Sequence, residues 1–174
     1  FNSDGKLDMA VSNNTDNNIS ILPGNGNGTF ATAVNYASGG LKPFCVSTAD
    51  LNSDGKSDLV VSNFKSCDVS VLLGNGNGTF ASPVNYGVGG TNVQTRTMVI
   101  SDLNGDSKLD LAVANEWGDN ISVFKGNGNG TFANAVKFGI SNLSLPSPYG
   151  ITVGDFNNDG KNDLAVSDLM NNSV

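Results

Sequence analysis

The sequence predicts an all-β fold, a segment of a β-propeller made of four-stranded antiparallel blades. Two strings of residues return in a fixed order every 50 to 53 positions, and a period of this length is typical of propeller blades. The residues between the strings alternate between apolar and polar, as in short, half-buried strands. The composition agrees, because 22 of the 174 residues are Gly and 26 are Asn, and these residues favour turns over helices.

The first recurring string is rich in Gly and the second is rich in Asp. The Gly-rich string reads GNGNGTF and ends at Phe30, Phe80 and Phe132. We expect it to form a tight hairpin turn that is closed by a core Phe. The Asp-rich string reads DLNSDGKSD in its second copy. Its central acid recurs at Asp4, Asp54, Asp106 and Asp159.

Each repeat has room for four short strands, which we label A to D. The Asp-rich loop joins strand A to B, a polar turn joins B to C, and GNGNGTF joins C to D. The B strands are predicted at residues 7–13, 59–63, 111–115 and 164–168. Almost no helix is expected, because the apolar pattern between the strings has the period of a strand.

The whole chain, residues 1–174, is predicted to be one propeller segment. Its repeats span 1–41, 42–93, 94–146 and 147–174, and the first and last of them are partial. About three and a half blades are fewer than a closed propeller needs, so we expect an open arc. Both ends of the arc should expose apolar faces, which further blades of a longer parent chain would cover.

The composition excludes several classes of function. The sequence contains no His, which removes Ser-His-Asp catalysis, Cys-His catalysis and His-ligated metal sites. Sixteen acidic residues against nine basic ones give a net charge of −7, so a nucleic-acid partner is not expected. No run of about 18 apolar residues is present, so membrane insertion is not expected either. We therefore predict that the chain is not an enzyme.

The Asp-rich loops predict a metal site. In the second loop, Asp50, Asn52, Asp54 and Asp58 stand at alternate positions around Lys56. This spacing turns their side-chain oxygens and the Lys56 carbonyl toward one centre, and oxygen ligands suit Ca²⁺ better than Mg²⁺. Eleven of the 16 acidic residues lie in the four loops. Each crowded carboxylate pair would repel by about 1 kcal/mol or more without a cation.

The predicted metal ligands are the same five positions of each loop, apart from the first position of the first loop. They are Asn2, Asp4, Lys6 and Asp8; Asp50, Asn52, Asp54, Lys56 and Asp58; Asp102, Asn104, Asp106, Lys108 and Asp110; and Asp155, Asn157, Asp159, Lys161 and Asp163. The third loop has Ser107 where the others have Gly. Since Ser with a positive φ costs about 1 kcal/mol, we expect this loop to be the weakest of the complete sites.

The order of these motifs resembles the FG-GAP/VCBS repeat family. The pattern that carries the resemblance is D-h-N-x-D-G-K-x-D-L-x-V-x-N, where h is an apolar residue, followed by I-S-V-L-x-G-N-G-N-G-T-F. The family includes the calcium-loop repeats of integrin α-subunit propellers and of many secreted bacterial proteins. The resemblance implies propellers of about seven blades with Ca²⁺ in the A–B loops. It implies no catalytic activity.

One end of each blade is predicted to be constant and the other variable. Antiparallel strands place the A–B and C–D turns at one end, and the B–C and D–A loops, which differ between repeats, at the other. Binding residues usually lie on variable loops. Trp117 beside Glu116 is the candidate for contacting a protein or glycan ligand, and a Trp that only covers the blade is an equal alternative.

These observations predict a calcium-binding, non-enzymatic propeller, secreted or at the cell surface, that serves in adhesion or ligand binding. One alternative is a lectin-like carbohydrate-binding module, which would need more aromatic platforms than Trp117 alone. Another is the scaffold of a polysaccharide-degrading enzyme whose catalytic part lies elsewhere. The two cysteines, Cys45 and Cys67, are left open between a disulfide and two free thiols.

Overall fold

The computed structural model describes residues 1–140 and 147–170 as thirteen strands in four sheets. The first sheet contains β1 (Met9–Asn13), β2 (Asn18–Leu22) and β3 (Val34–Ala37). The second contains β4 (Pro43–Ala49), β5 (Asp58–Asn63), β6 (Asp68–Leu72) and β7 (Val84–Gly87). The third contains β8 (Thr95–Ser101), β9 (Asp110–Asn115), β10 (Asn120–Phe124) and β11 (Val136–Gly139), and the fourth contains β12 (Pro148–Gly154) and β13 (Asp163–Asp168).

The sheets have the predicted topology. Neighbouring strands are adjacent in sequence and pair antiparallel, so the two complete sheets follow the order A, B, C, D. The strands β1, β5, β9 and β13 match the four predicted B strands to within about two residues. Within the described ranges, the helical content is a single 3₁₀ turn, Glu116–Gly118, and no helix could span a membrane. The repeat boundary at residue 146 and residues 171–174 lie outside the described residues.

The sheets stack as successive blades of an open arc. The A strands pack on one another, β4 on β8 and β8 on β12, so they lie along one continuous inner edge. Strand β1, the B strand of the first sheet, packs on β4. The arc does not close on itself, which confirms the prediction. The B strands β5 and β9 are buried along their whole length because blades cover both faces of their sheets. Strand β1 is more exposed, and its Val11 lies on the surface although the equivalent Val61 and Val113 are fully buried.

The Phe that ends the second and the third GNGNGTF loop packs against the preceding blade. The Phe80 ring meets the Tyr36 ring edge to face, with ring centroids 5.4 Å apart, and Phe132 meets Tyr86 in the same way at 5.7 Å. The expectation of a core Phe is therefore met by Phe132, which is 7% exposed, but not by Phe30, which is 39% exposed. Phe30 belongs to the first sheet, where the described residues include no earlier blade to cover it.

This difference predicts unequal effects of one substitution at two equivalent positions. Phe132→Ala should lower the free energy of unfolding by about 3–5 kcal/mol, because it empties a packed contact between blades. Phe30→Ala, the matched control, should lower it by about 1 kcal/mol or less. Urea unfolding followed by circular dichroism measures both values. Equal losses would show that the two rings are equally packed in solution.

Candidate functional site

Hydrogen bonds from the backbone draw side-chain oxygens together in the second Asp-rich loop. The carboxylate of Asp50 accepts hydrogen bonds from the N–H groups of Asp54 (3.0 Å) and Gly55 (2.8 Å). The side-chain oxygen of Asn52 accepts from the same Asp54 N–H at 3.2 Å. The Asp54 carboxylate in turn accepts from the Lys56 N–H at 3.0 Å. Two predicted ligand oxygens, from Asp50 and Asn52, therefore converge on one N–H.

The third and fourth loops repeat this geometry. In the third, the Asp106 N–H donates to the side-chain oxygens of Asp102 (3.2 Å) and Asn104 (3.0 Å). In the fourth, the Asp159 N–H donates to those of Asp155 (3.1 Å) and Asn157 (2.9 Å). Three loops with different flanking residues thus adopt one conformation, which places the same pair of oxygens side by side.

The last acid of the loop holds two turns together. Asp58 is fully buried, and its carboxylate accepts the N–H of Leu51 at 2.9 Å and that of Gly74 at 2.7 Å. Because Gly74 opens the Gly-rich loop, this side chain joins the A–B loop to the C–D loop of its own blade. Burial raises the pKa of Asp58, against the lowering effect of these two hydrogen bonds. Asp8 and Asp110 make the corresponding bonds to Gly24 and Gly126, both at 2.8 Å.

The donor types of these loops fit Ca²⁺. Carboxylate, amide and main-chain oxygens are the ligands that this ion takes, and the loops bring two of the side-chain oxygens together. In the part of the chain that the structure describes, no three acidic side chains are grouped closely enough to hold a metal ion. The full ligand set is therefore not assembled in advance, although its chemistry suits the ion.

Lysines neutralise the central acid of three loops. The Lys56 ammonium lies 3.1 Å from the Asp54 carboxylate, and Lys161 lies 3.9 Å from Asp159. The hydrogen bond from Lys56 lowers the pKa of Asp54. In the third loop the partner of Asp106 is Lys125, at 3.1 Å, which comes from outside the loop. Our sequence analysis did not identify this residue, because it stands 19 positions beyond Asp106.

The variable end separates the two residues that we proposed as ligand contacts. Glu116 is buried, and its carboxylate accepts a hydrogen bond from the Arg96 Nε at 2.6 Å. Trp117 is 65% exposed. The Glu116 carboxylate is therefore engaged by Arg96, while Trp117 faces solvent.

Arg96 links the inner strands of three blades. The carbon of its guanidinium lies 4.7 Å from the ring centroid of Phe44, 4.4 Å from that of Phe64 and 5.0 Å from that of Tyr149. Such contacts attract a cation to the face of an aromatic ring. The sequence offered no signal for this cluster, since its members come from three different repeats.

A cavity of about 300 Å³ lies beside Trp117. Its lining also includes Lys42, Phe64, Lys65, Cys67, Asn92 and Gln94. The turns that carry these residues are fixed by backbone hydrogen bonds, from Lys65 N–H to Leu41 (3.0 Å) and from Glu116 N–H to Gln94 (2.9 Å). The cavity is thus built from the variable loops of two adjacent blades.

Both cysteines are free thiols. Cys45 packs against the core, where burial raises the pKa of its thiol. Cys67 lies in the B–C turn with a positive φ of 58°. The question that the sequence left open is therefore answered by two unpaired thiols.

Backbone strain is shared equally among the loops. Ser107 has a φ of 63°, in the left-handed region, as expected from its alignment with Gly55 at 80°. However, the second loop carries Ser53 at 59° where the third has Gly105 at 78°. Each loop thus has one residue other than Gly at positive φ, and these residues are Ser3, Ser53, Ser107 and Asn158. Strain at Ser107 therefore gives no reason for the third loop to be weaker than the second.

Glycine substitutions test this equality. Ser53→Gly and Ser107→Gly should each raise the free energy of unfolding by a similar amount, of roughly 1 kcal/mol, because each relieves one left-handed residue. Ser57→Gly is the control, since Ser57 is exposed and is not among the residues with positive φ. It should be neutral or slightly destabilising. Chemical denaturation would contradict the geometry if Ser107→Gly alone were stabilising.

Solved structures similar to this chain share the propeller-like fold. An Agrocybe aegerita lectin that recognises non-reducing terminal N-acetylglucosamine is 26% identical, with a TM-score of 0.61, over 94% of this chain and 43% of the lectin chain. BBS1N, in a crystal of its complex with ARL6DN soaked with lead, is 14% identical, with a TM-score of 0.62, over 96% of this chain and 48% of its own. The chain thus spans less than half the length of both structures.

Comparison with curated protein sequences found no match. Comparison with models of protein families found a match in three overlapping segments, at residues 1–61, 50–113 and 102–166. Each segment begins at or near one Asp-rich loop and ends in or just after the B strand that follows the next one. On this evidence, and with the repeated loops and sheets described above, the chain belongs to the FG-GAP-like repeat family.

Proposed function

We propose that this chain is a calcium-stabilised, non-enzymatic scaffold that presents a ligand-binding face outside the cell. The observation that carries the proposal is the paired convergence of Asp and Asn oxygens in three loops. In the second loop, the side chains of Asp50, Asn52, Asp54 and Asp58 and the main-chain oxygen of Lys56 would hold the ion. Bound Ca²⁺ would supply the positive charge that crowded carboxylates need.

The position of the loops explains how an ion there would stabilise the arc. The second loop is joined to its own C–D turn through Asp58 and Gly74. It is also joined to the next blade, because the Leu51 carbonyl accepts the Gly130 N–H at 3.1 Å. An ion that orders this loop would therefore order the contact between two blades as well.

An extracellular location suits loops of this kind. The central acids Asp54 and Asp159 are exposed, and the ligand set is not assembled in advance, which favours modest affinity. Extracellular calcium modules work with dissociation constants of about 10⁻⁴–10⁻³ M, near the calcium concentration that surrounds them. An adhesion or ligand-binding role, as in the repeats that this sequence resembles, would then use the variable end. Catalysis is not part of the proposal, because the sequence lacks His and its buried Glu is engaged by Arg96.

A thermal melt tests calcium binding. The midpoint of unfolding should rise by several degrees when excess chelator is replaced by millimolar Ca²⁺, because the ion binds the native loops and not the unfolded chain. Asp54→Asn should reduce this rise. Asp16→Asn, at an exposed acid of a B–C turn, removes the same charge and should leave the rise unchanged. An identical midpoint with and without Ca²⁺ would refute the proposal.

Carbohydrate binding is a second candidate function. Two observations favour it, the lectin among the similar structures and the exposed Trp117 beside a cavity with amide and lysine side chains. An exposed indole offers a flat apolar face, and the amides of Asn92 and Gln94 offer both donors and acceptors to hydroxyl groups. The site would lie between the second and third blades.

Trp117 itself reports on this candidate, because it is the sole Trp of the sequence. Titration with N-acetylglucosamine should change its fluorescence saturably, with a dissociation constant on the order of 1 mM. Glucose is the control sugar and should have no such effect. Asn92→Ala should weaken the response, while Asn14→Ala, at an exposed residue of another blade, should not. A linear response to both sugars would exclude a site at Trp117.

A further inference from the structure

The third Asp-rich loop contains one cation more than the second. The Lys125 ammonium lies 3.1 Å from the Asp106 carboxylate, although Lys125 belongs to the start of the C–D turn that follows β10. At the corresponding position the first repeat has Pro23 and the second has Leu73. The extra charge is therefore present in the third repeat and absent from the first two.

The third loop has its own lysine, Lys108, in addition to Lys125. The stem of Lys108 lies over Gly128, with its Cγ 3.2 Å from where a Cβ on that glycine would stand, as the stem of Lys56 lies over Gly76 in the second repeat. The positive charges of both Lys125 and Lys108 therefore stabilise the ionised carboxylate of Asp106. The hydrogen bond from Lys125 is the main cause of the lowered pKa of Asp106. Asp54 receives its hydrogen bond from Lys56 alone among the lysines.

The third loop also uses its amide differently. The Asn104 side-chain N–H donates to the Asp110 carboxylate at 2.8 Å, and the Leu103 N–H reaches the same oxygen at 3.1 Å. In the second loop that oxygen of Asp58 accepts the Leu51 N–H. More of the negative charge of the third loop is therefore compensated by hydrogen bonds and ammonium groups of the protein itself.

We propose that Lys125 is a built-in counter-cation of the third loop, which competes with Ca²⁺ and makes this loop fill at higher calcium concentration than the second. The inference rests on the proposed calcium binding. Its physical basis is repulsion, since an ion bound to Asp106 would sit beside an ammonium that holds the same carboxylate. The Lys125 side chain is 61% exposed and that of Asp106 26%, so solvent screens the effect to about a tenfold difference in affinity.

The chain would then respond to calcium in two stages. At intermediate concentration the second loop would be occupied while Lys125 still neutralises the third. Full occupancy would require the ammonium to swing away into solvent, which its exposure permits. Because the third loop stands at the junction with the last described sheet, where Asn162 donates to the Asp102 carbonyl at 2.7 Å, the second stage would act on that junction.

The test is a Ca²⁺ titration followed by amide signals in ¹⁵N NMR spectra, which report each loop separately. In the wild-type chain, amides of residues 50–58 should reach half-saturation at about tenfold lower Ca²⁺ than those of residues 102–110. Lys125→Leu, which installs the residue of the second repeat, should raise the Ca²⁺ affinity of the third loop. The two loops should then reach half-saturation at similar Ca²⁺ concentrations. Lys125→Gln should do the same without adding an apolar side chain.

Lys65→Gln is the matched control, because it removes the same charge from an exposed turn at the opposite end of a blade. It should leave the gap between the two loops unchanged. Equal half-saturation of the loops in the wild-type chain, or a third loop that does not tighten in either Lys125 variant, would overturn the role of Lys125 while calcium binding stood. Amides that respond in no loop would overturn both.

Discussion

The hydrogen bond between a buried aspartate and the first glycine of the Gly-rich loop supports the rest of each blade. Asp58 is fully buried, and a carboxylate in that position is stable only if hydrogen bonds replace its water. The N–H groups of Gly74 and Leu51 supply those bonds. Gly74 must be glycine for this contact, since a Cβ there would lie 2.2 Å from the Ser57 carbonyl oxygen. The two recurring strings are therefore two halves of one structure, which explains why they recur together.

The loops that this hydrogen bond joins also make the contacts between neighbouring blades. The Asp-rich loop that Asp58 anchors offers the Leu51 carbonyl to Gly130 of the next blade, and the Phe that ends the Gly-rich loop packs on the Tyr of the blade before. Each repeat thus supplies hydrogen bonds and ring contacts that stabilise the neighbouring repeat. This is the usual energetics of repeat proteins, in which the interfaces supply much of the stability. It also accounts for the exposure of Phe30 and Val11 on the first sheet.

The two ends of the blades have separate physical tasks. At the constant end, short-range hydrogen bonds fix one loop conformation in three repeats. The third loop differs in charge, through Lys125 beside Asp106, and in the amide of Asn104, which donates to Asp110. At the variable end, Arg96 lies among the rings of Phe44, Phe64 and Tyr149 and pairs with Glu116. That cluster takes a carboxylate out of solvent and holds the turn in which Trp117 is exposed.

The sequence by itself determined the repeat, the strands and the two kinds of loop. Period-2 patterns, turn residues and alternating acids act over a few residues, so they can be interpreted without knowing what lies across the sheet. Only the tertiary structure decided which side chains meet. Asp58 reaches Gly74, Arg96 reaches Glu116 and Lys125 reaches Asp106 across 16 to 20 positions, and Arg96 and the rings around it come from three repeats. The same is true of Ser107, whose strain is matched by Ser53. Local rules carry no information on contacts between distant segments, because those contacts depend on how the blades stack.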